Sequence, residues 1–410
     1  MRRRADCRLC GSKELELVFA LTPTPPANAF VPAEKRDTPQ QRFPLDLFFC
    51  RECTHLQLLD VVDPALLFED YVYVSGTSPV FVNHFKGYAE DMIHRFGLKA
   101  PDLVIDIGSN DGTLLRFFKD KGLQVLGIDP AKKIAEQATK AGVKTMAEFF
   151  TPELAERLRR KEGPAQLICA NNVFAHADDL KGMVAGIRHL LAPDGVFVFE
   201  VSYLADVINK TLFDTIYHEH LAYHAVKPLQ RFFRDNGMEL IEALRVDSHG
   251  GSLRGMAQRT GAKRDVGASV AELLALEEKL GLHKAETYRR FDRQIDERRR
   301  ELVAVLKSLK AEGKRIAGFG APAKATTLMH HFGLGPEYLD FVVDDSPLKQ
   351  GLFTPGHHIP VLSSKALEER RPDALLILAW NFAPSIIEKN KAFAQRGGRF
   401  IIPLPKVEYR

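Results

Sequence analysis

The 410-residue sequence has little net charge, few cysteines and no long apolar run. Lys and Arg number 57 against 53 Asp and Glu, and a net charge of +4 argues against a protein that binds nucleic acid or a membrane surface along its whole length. No apolar run approaches the roughly 18 residues of a membrane-spanning helix. The basic start has no apolar region after it, so we expect no secretory signal. Because 45% of the residues are hydrophobic and 27% charged, we expect a globular, cytoplasmic enzyme of roughly two to four domains.

Five cysteines are too few for a disulfide framework, but four of them form two CxxC pairs. Each pair, Cys7 with Cys10 and Cys50 with Cys53, can turn two thiolates toward one metal ion, and two pairs complete a tetrahedral zinc site. The 39 residues between the pairs exceed the usual spacing, so the proline-rich segment 21–39 is expected to loop out. Four free thiols are the alternative. The spacing favours a closed, structural zinc site.

A glycine-rich turn follows a strongly apolar segment in the first half of the chain. Leu103–Gly108 is typical of a buried strand, and the small residues up to Gly112 let backbone N–H groups approach a ligand at the start of a helix. The next predicted strand ends in Asp129, where a carboxylate suits a ribose diol. Two further candidate strands, 167–170 and 195–200, alternate with helical segments. The alternation predicts a parallel α/β sheet.

A second glycine-rich turn lies at Gly318–Ala323 and fits the G-x-G-x-x-G/A pattern. The strand that follows it ends in Asp344, so the pattern alone is a fair dinucleotide-binding fingerprint. Pro322 and Lys324 are less usual there. Further α/β signals at 373–379, 385–394 and 399–402 predict a second Rossmann-like unit. Between the two units, residues 268–312 are typical of a long amphipathic helical region with a solvated charged face.

The densest polar cluster is Thr215–His224, which contains three histidines, two tyrosines and one glutamate. A helix would place Tyr217, His220 and His224 on one face, whereas a strand would place His218 and His220 together. Both conformations stay open. No third metal ligand is evident nearby, so we favour acid–base chemistry, for which a neutral imidazole is competent at pH 7.

Two shorter segments are also candidates for ligand contacts. His249–Arg254 combines two glycines with a hydroxyl and a guanidinium, which suits an anion, although a simple turn between strands explains it equally well. The alternating run Tyr71–Ser78 is either an edge strand or a lid over the substrate.

Taken together, these segments resemble one family, the sugar C-methyltransferases that act on nucleotide-linked 4-keto deoxysugars. The resemblance covers nearly the whole chain and is carried, in order, by the two CxxC pairs, YVYVSG at 71–76, DIGSNDG at 106–112, NNVFAH at 171–176, FDTIYHEH at 213–220, HGGSLR at 249–254, GFGAPAK at 318–324 and DDSPLKQG at 344–351. It implies a small zinc-binding domain (1–80), a class I S-adenosylmethionine (SAM) domain (81–265), and a helical linker with a C-terminal Rossmann-like domain (266–410) that helps hold the sugar nucleotide and carries no NAD.

The resemblance also implies roles for individual residues. His220 would be the base that deprotonates the carbon next to the ketone, C3′ being favoured, with Tyr217, Glu219 and His176 beside it. SAM would be held by a group of turn and strand-end residues: Asp106, Gly108, Ser109, Asn110, Gly112, Asp129, Asn171 and Asn172. The nucleotide sugar would contact Tyr71, Ser75, His249, Ser252, Arg254 and Lys324. We expect a monomer that binds neither nucleic acid nor membrane.

Three other functions stay open at this point. An NAD-dependent oxidoreductase or epimerase would use the second turn. A zinc-ribbon nucleic-acid methyltransferase would need a basic surface around the cysteines, which Glu14, Glu16 and Glu52 dilute. An O- or N-methyltransferase of the same fold would leave the Thr215–His224 cluster without a clear task.

Overall fold

The computed structural model describes residues 1–68, 76, 79–248 and 250–410. Of the residues predicted to contact substrate, Tyr71, Ser75 and His249 lie outside the described residues. The lid-or-strand alternative for Tyr71–Ser78 therefore stays a prediction.

The N-terminal unit is a small antiparallel structure built around the two cysteine pairs. Its sheet has the strand order β11-β4-β3-β2. Strand β11 (Ala222–Tyr223) comes from the Thr215–His224 segment and pairs with β4. The elements are β1 (Arg2–Arg3), β2 (Leu15–Phe19), β3 (Leu47–Cys50), β4 (Leu56–Leu58), β5 (Asp60–Val61) and α1 (Pro64–Phe68). A short 3₁₀ turn at Ala33–Lys35 lies in the proline-rich excursion.

The middle unit is a seven-stranded sheet with the order β12-β13-β10-β9-β6-β7-β8. Five strands are parallel, and β13 and β12 join antiparallel to β10 and to each other. The elements are α2 (Pro79–Phe96), β6 (Leu103–Ile107), α3 (Thr113–Lys119), β7 (Gln124–Ile128), α4 (Lys132–Lys140), β8 (Thr145–Met146), α5 (Pro152–Glu162), β9 (Ala165–Asn171), α6 (Leu180–Leu190), β10 (Leu191–Ser202), α7 (Leu204–Asn209), β11 (Ala222–Tyr223), α8 (Val226–Asp235), β12 (Met238–Val246) and β13 (Ser252–Arg259).

The C-terminal unit is a six-stranded sheet with the order β16-β15-β14-β17-β18-β19, in which only the last pair is antiparallel. Two long helices precede it. The elements are α9 (Ala268–Leu280), α10 (Ala285–Ala311), β14 (Ile316–Phe319), α11 (Ala323–Phe332), β15 (Val342–Val343), β16 (Val361–Leu362), α12 (Ala366–Arg370), β17 (Ala374–Ile377), α13 (Ala383–Lys389), α14 (Lys391–Gln395), β18 (Arg399–Ile402) and β19 (Glu408–Tyr409). The predicted fold class, a small zinc-binding domain followed by two Rossmann-like α/β domains, is confirmed.

Each of the two larger sheets has a point at which the strand order reverses. In the middle unit the chain runs outward from β6 to β8 on one side and from β9 to β10 on the other, so the reversal lies between β6 and β9. In the C-terminal unit it lies between β14 and β17. Open parallel sheets bind ligands beyond the carboxyl ends of the strands at such a point. Both predicted glycine-rich turns begin there.

A continuous hydrophobic core joins the three units. Helix α10 packs on the N-terminal sheet, where Phe291 meets Phe19 edge-on with ring centroids 5.8 Å apart and Tyr288 meets Phe49 at 5.6 Å. Aromatic pairs of this kind add about 0.5–1.5 kcal/mol to the gain from burial. The N-terminal unit is therefore held against the C-terminal helices as well as the middle sheet.

Two local predictions differ from the structure. The helical region predicted at 268–312 is broken into α9 and α10 at Gly281, whose φ of 69° lies in the left-handed region that ends helices. The candidate strand at 195–200 is part of a longer strand, β10, whose register with β9 shifts between Leu191 and Val196. In the described part of the chain, no helix is long and apolar enough to cross a membrane.

Candidate active site

The four paired cysteines come together at one point of the N-terminal unit. Their Sγ atoms all lie within 4.8 Å of one another, and the closest pairs, Cys7 with Cys53 and Cys10 with Cys50, are 3.6 Å apart. Four Zn–S bonds of about 2.3 Å in a tetrahedron place the sulfurs about 3.8 Å apart. The donor set and its geometry fit zinc, and four protein ligands leave no open coordination position. The predicted zinc site is therefore structural.

The first glycine-rich turn, Gly108–Gly112, has glycine where a side chain would crowd the backbone. Gly108 has a φ of 74°, and a Cβ there would lie 2.2 Å from Val173 Cγ2. Its N–H donates to the Ile128 carbonyl at 2.7 Å, which fixes the turn to β7. Gly112, with a φ of 76°, is the N-cap of α3. Only glycine tolerates both the conformation and the crowding at Gly108.

Two buried carboxylates flank this turn. Asp129 accepts hydrogen bonds from the backbone N–H groups of Asn110 and Ala131, each at 2.9 Å. Burial raises the pKa of Asp129, and these two hydrogen bonds oppose the rise. Burial also raises the pKa of Asp106 well above its ordinary value, and the neighbouring Asp129 adds to the effect. Two acidic groups at one turn suit a ligand that brings positive charge.

Several polar atoms at the same sheet edge are buried without a hydrogen-bond partner in the described residues. They are Asp106 Oδ1, Ser109 Oγ, and both Oδ1 and Nδ2 of Asn171. Asn172 follows with a φ of 57° and donates its N–H to the Glu200 carbonyl at 2.7 Å. Buried polar groups are normally paired, so this set is consistent with a polar ligand between β6 and β9. The cradle fits the amino-acid and ribose groups of SAM.

Two histidines from different loops stack beside this edge. The rings of His176 and His220 lie 5.1 Å apart at an interplanar angle of 28°. Nδ1 of His220 is 2.7 Å from the Thr215 carbonyl oxygen, which can only accept, so Nδ1 carries the proton and Nε2 holds the lone pair. Burial lowers the pKa of His220 to about 4 and that of His176 well below its ordinary value. Both rings are neutral at pH 7.

The segment between Thr215 and Ala222 is neither helix nor strand. A 3₁₀ turn at Phe213–Thr215 leads into an irregular loop that ends at β11. Tyr217 packs on His220 with ring centroids 4.1 Å apart, so these two side chains do meet. Both conformations considered from the sequence were wrong because contacts with the other two units hold this loop.

Residues between the two cysteine pairs of the zinc unit contact this loop. Asn28 Nδ2 donates to Glu219 Oε1 at 3.0 Å, and His218 Nε2 lies 3.2 Å from the Phe43 carbonyl. Both Glu219 and His218 are buried. His218 thus faces the excursion, whereas His220 faces His176. The predicted grouping of His218 with His220 on one face does not occur.

The described part of the HGGSLR segment, residues 250–254, consists of two glycines followed by the start of β13. Gly250 and Gly251 have φ values of 94° and 136° and connect β12 to β13. Ser252 Oγ donates to the Ser248 carbonyl at 3.1 Å. The Arg254 guanidinium contacts Glu200 at 2.6 Å and Asp91 at 3.3 Å, so nearby carboxylates already balance its charge. Its proposed contact with the substrate stays a prediction.

Two lysines lie beside the second turn, each near a carboxylate. Lys324 Nζ donates to Asn381 Oδ1 at 2.5 Å, lies 4.0 Å from Asp214 Oδ2 and stands over the Trp380 ring. Lys349 Nζ donates to the Ala321 carbonyl at 2.9 Å. Burial lowers the pKa of both lysines. Two partly buried cations at a strand-order reversal suit an anionic ligand.

Three residues of this region were missed by the sequence reasoning. Asp214 is completely buried and accepts from Trp380 Nε1 at 2.6 Å, and Asn381 holds the Lys324 ammonium. Trp380 is the single tryptophan of the chain, which was the one available signal. Asp214 lies in the loop of the histidines and Trp380 lies 166 residues away, so no local pattern joins them.

Comparisons with known proteins agree with this arrangement. Three family models match the chain: a zinc-binding domain at residues 7–68, a methyltransferase domain at 81–243 and a C-methyltransferase C-terminal domain at 247–405. The C-methyltransferase NovU of Streptomyces niveus is 36% identical over 401 residues, covering 98% of this chain and 96% of NovU.

Two solved methyltransferase structures are similar to part of the chain. The magnesium protoporphyrin IX methyltransferase of Synechocystis PCC 6803 with bound SAM is 15% identical, with a TM-score of 0.33 over 44% of this chain and 82% of that one. The CcbJ methyltransferase of Streptomyces caelestis is 14% identical, with a TM-score of 0.34 over 44% of this chain and 90% of that one. Both likenesses are confined to less than half of the chain.

Proposed function

Because the chain belongs to the C-methyltransferase family and is a SAM-dependent methyltransferase, we propose that it methylates the carbon next to the ketone of a dTDP-4-keto-deoxysugar, with C3′ favoured. The observation that carries the proposal is the hydrogen bond from His220 Nδ1 to the Thr215 carbonyl. It leaves a lone pair on Nε2 in a loop next to the carboxyl ends of β6 and β9. Carbon methylation needs a base of this kind, because a C–H group is not nucleophilic until it is deprotonated.

The residues divide the reaction into binding, proton removal and positioning. The 4-keto group acidifies the neighbouring C–H, and Nε2 of His220 removes that proton to leave an enolate. Tyr217 and His176, which both pack on His220, orient the imidazole and stabilise the charge that develops beside it. SAM, when bound at the first turn, supplies an electrophilic methyl group. Holding the two reactants in line then provides much of the acceleration.

The second turn is proposed to hold the sugar nucleotide. Lys324 and Lys349 are partly buried and lie 4.0 and 3.9 Å from Asp214 and Asp344, and a diphosphate at this turn would accept from their remaining N–H donors. The loop of His220 touches the same unit, because Thr327 Oγ1 donates to the Ile216 carbonyl at 2.7 Å. This contact between α11 and the loop of His220 supports placing the diphosphate and the ketone in one site.

The base assignment is tested with His220→Asn, whose amide can still donate to the Thr215 carbonyl. We expect kcat to fall by roughly 10²–10⁴, the usual contribution of a general base, while SAM affinity is unchanged. The assay is mass spectrometry of the sugar product with SAM and a panel of dTDP-4-keto sugars, and SAM affinity is measured by calorimetry. His189→Asn, on an exposed residue of α6, is the matched control.

Two outcomes would contradict the proposal. An active His220→Asn enzyme removes His220 from the role of base. Failure of the wild-type enzyme to methylate any sugar of the panel, together with tight NADH binding at the second turn, would favour the oxidoreductase alternative.

The pH dependence gives a second test of the same base. The pKa of His220 is lowered to about 4, and a base acts only when unprotonated. Activity is therefore retained as the pH falls through 6.5, where an ordinary histidine would be half protonated, and is lost only near the lowered pKa. A kcat/KM profile between pH 4 and 8 measures it, and an inflection near 6.5 contradicts the buried, neutral base.

A further inference from the structure

Arg8 lies between the first two zinc ligands, yet its side chain is completely buried. Its Nε donates to Asp178 Oδ1 at 3.1 Å, and its Nη1 donates to Gln57 Oε1 at 3.1 Å and to the Leu58 carbonyl. A guanidinium is planar and presents its donors in a rigid fork, so three defined acceptors leave it one orientation. The first zinc knuckle is thereby connected to a residue of the middle unit.

Asp178 belongs to the loop that follows β9, two residues beyond His176. It is contacted by two further arginines, Arg2 and Arg4, and Arg4 Nη1 also donates to the Asp178 backbone carbonyl at 3.1 Å. Three cations from the first eight residues thus converge on one carboxylate. The loop of His176 is held from the side of the zinc unit.

The loop of His220 is held by the same unit through its backbone. Strand β11 pairs with β4, and the Leu58 N–H donates to the Leu221 carbonyl at 3.0 Å. Leu221 N–H in turn donates to the Ala175 carbonyl, next to His176, at 2.9 Å. Leu58 therefore contacts Arg8 with its carbonyl and the histidine loop with its N–H.

The second knuckle shows that the zinc site does not itself require a buried arginine. Arg51 occupies the position in Cys50–Cys53 that Arg8 occupies in Cys7–Cys10. Its side chain is 63% exposed and pairs only with Glu16 in the described part of the chain. A zinc ligand pair is thus compatible with an exposed arginine. The burial of Arg8 is therefore explained by its contacts with Asp178, Gln57 and Leu58 rather than by the zinc site.

We propose that the Arg8–Asp178 ion pair is a positioning contact through which the zinc unit fixes the loop of His176 against His220. This inference rests on the proposed function, because it assigns those histidines to the reaction. The zinc unit then contributes to methyl transfer without contacting SAM or the reacting carbon.

The test compares Arg8→Gln and Asp178→Asn with Arg51→Gln as the matched control. We expect both test variants to keep one zinc per chain and a SAM dissociation constant within twofold of wild type, while kcat falls by about 10- to 100-fold. The control keeps wild-type values for all three. If both test variants keep kcat within twofold, or if SAM affinity falls in step with kcat, the positioning role is overturned.

The pair also makes a prediction about coupling. If Arg8 acts through Asp178, the double variant is no slower than the slower single variant, because each change breaks the same contact. Additive losses overturn the inference. Should Arg8→Gln lose zinc, Asp178→Asn lies outside the zinc unit and answers the same question.

A readout without substrate separates this inference from the proposed function. Nitrogen-15 NMR of labelled histidines reports the tautomer and pKa of His176 and His220, with signals assigned from His176→Gln and His220→Gln. We expect these signals to shift in Arg8→Gln and not in Arg51→Gln. If they shift while the wild-type enzyme turns over no 4-keto sugar, the contact stands and the proposed substrate falls. Unshifted signals overturn the contact.

Discussion

The two glycine-rich turns of this chain share a backbone arrangement. At the first, the carboxylate that ends β7, Asp129, accepts the Asn110 N–H at 2.9 Å. At the second, the carboxylate after β15, Asp344, accepts the Ala321 N–H at 2.6 Å. Each turn follows a buried parallel strand and begins a helix at a point where the strand order reverses.

The two turns differ in the charged side chains beside them. Asp106 and Asp129 flank the first turn, whereas at the second Lys324 lies 4.0 Å from Asp214 and Lys349 lies 3.9 Å from Asp344. The same topology thus has acidic side chains beside it in one unit and acid–lysine pairs in the other, and we expect the first to favour a cationic ligand and the second an anionic one. The comparison teaches that the strand–turn–helix framework provides the place for a ligand, while a few neighbouring charges select its chemistry.

The largest effect is expected from adding a methyl group to either turn. Gly108→Ala places a Cβ 2.2 Å from Val173 Cγ2 in left-handed backbone, and we expect SAM binding to weaken more than about 100-fold while dTDP binding persists. Gly320→Ala, with Ala379 Cβ at 2.7 Å, is expected to do the reverse. Calorimetry with both ligands measures it. Equal loss of both ligands in either variant would break the comparison.

The next effect concerns the charge of the second turn. Lys324→Gln keeps a donor for Asn381 but removes the cation, so we expect KM for the nucleotide sugar to rise about 10-fold with SAM affinity unchanged. Lys365→Gln, an exposed lysine at the start of α12, is the control. An unchanged KM would show that the diphosphate does not lie at this turn.

A similar or smaller effect is expected at the first turn. Asp129→Asn cannot accept from both Asn110 and Ala131 and loses its charge, so we expect SAM to bind about 10-fold more weakly while dTDP affinity stays constant. Calorimetry measures both, with Glu136→Gln on the exposed face of α4 as the control. A rise in dTDP dissociation constant instead would contradict the assignment of ligands to turns.

The smallest effect is on stability rather than binding. Burial raises the pKa of Asp106 in the folded state, so the folded protein binds this proton more tightly than the unfolded chain, and stability falls as the pH rises above the unfolded pKa. Asp106→Asn removes this loss of stability, because an amide side chain does not ionise. We expect the melting temperature of the ligand-free protein to rise by a few degrees at pH 7, with a smaller gain near pH 4. Thermal unfolding at both pH values, with Asp120→Asn on an exposed residue after α3 as the control, measures it.

Features encoded by neighbouring residues were predictable from the sequence. Two CxxC pairs predicted the zinc ligands, and apolar strands ending in glycine-rich turns predicted both points at which the strand order reverses. These signals work because a knuckle or a strand–turn–helix unit satisfies its own backbone within about twenty residues. Asp129 was found for the same reason, since the next strand of a parallel unit lies beside the first.

The conformation of the Thr215–His224 segment was not predictable in this way. The spacing of its histidines suits a helix and a strand equally well. The loop is held instead by residues distant in sequence, because Asn28 donates to Glu219 and Thr327 donates to the Ile216 carbonyl. The pairing of Asp214 with Trp380 and of Arg8 with Asp178 has the same origin.

The sequence by itself therefore determined the zinc ligands, the fold class and the two turns, because each depends on a local pattern of residue types. The tertiary structure alone decided that Nδ1 of His220 carries the proton and that His176 is the histidine stacked on His220. It also decided that Arg8, of the two knuckle arginines, reaches the middle unit. These depend on single contacts between side chains and carbonyls that only the packing of all three units brings within hydrogen-bond distance.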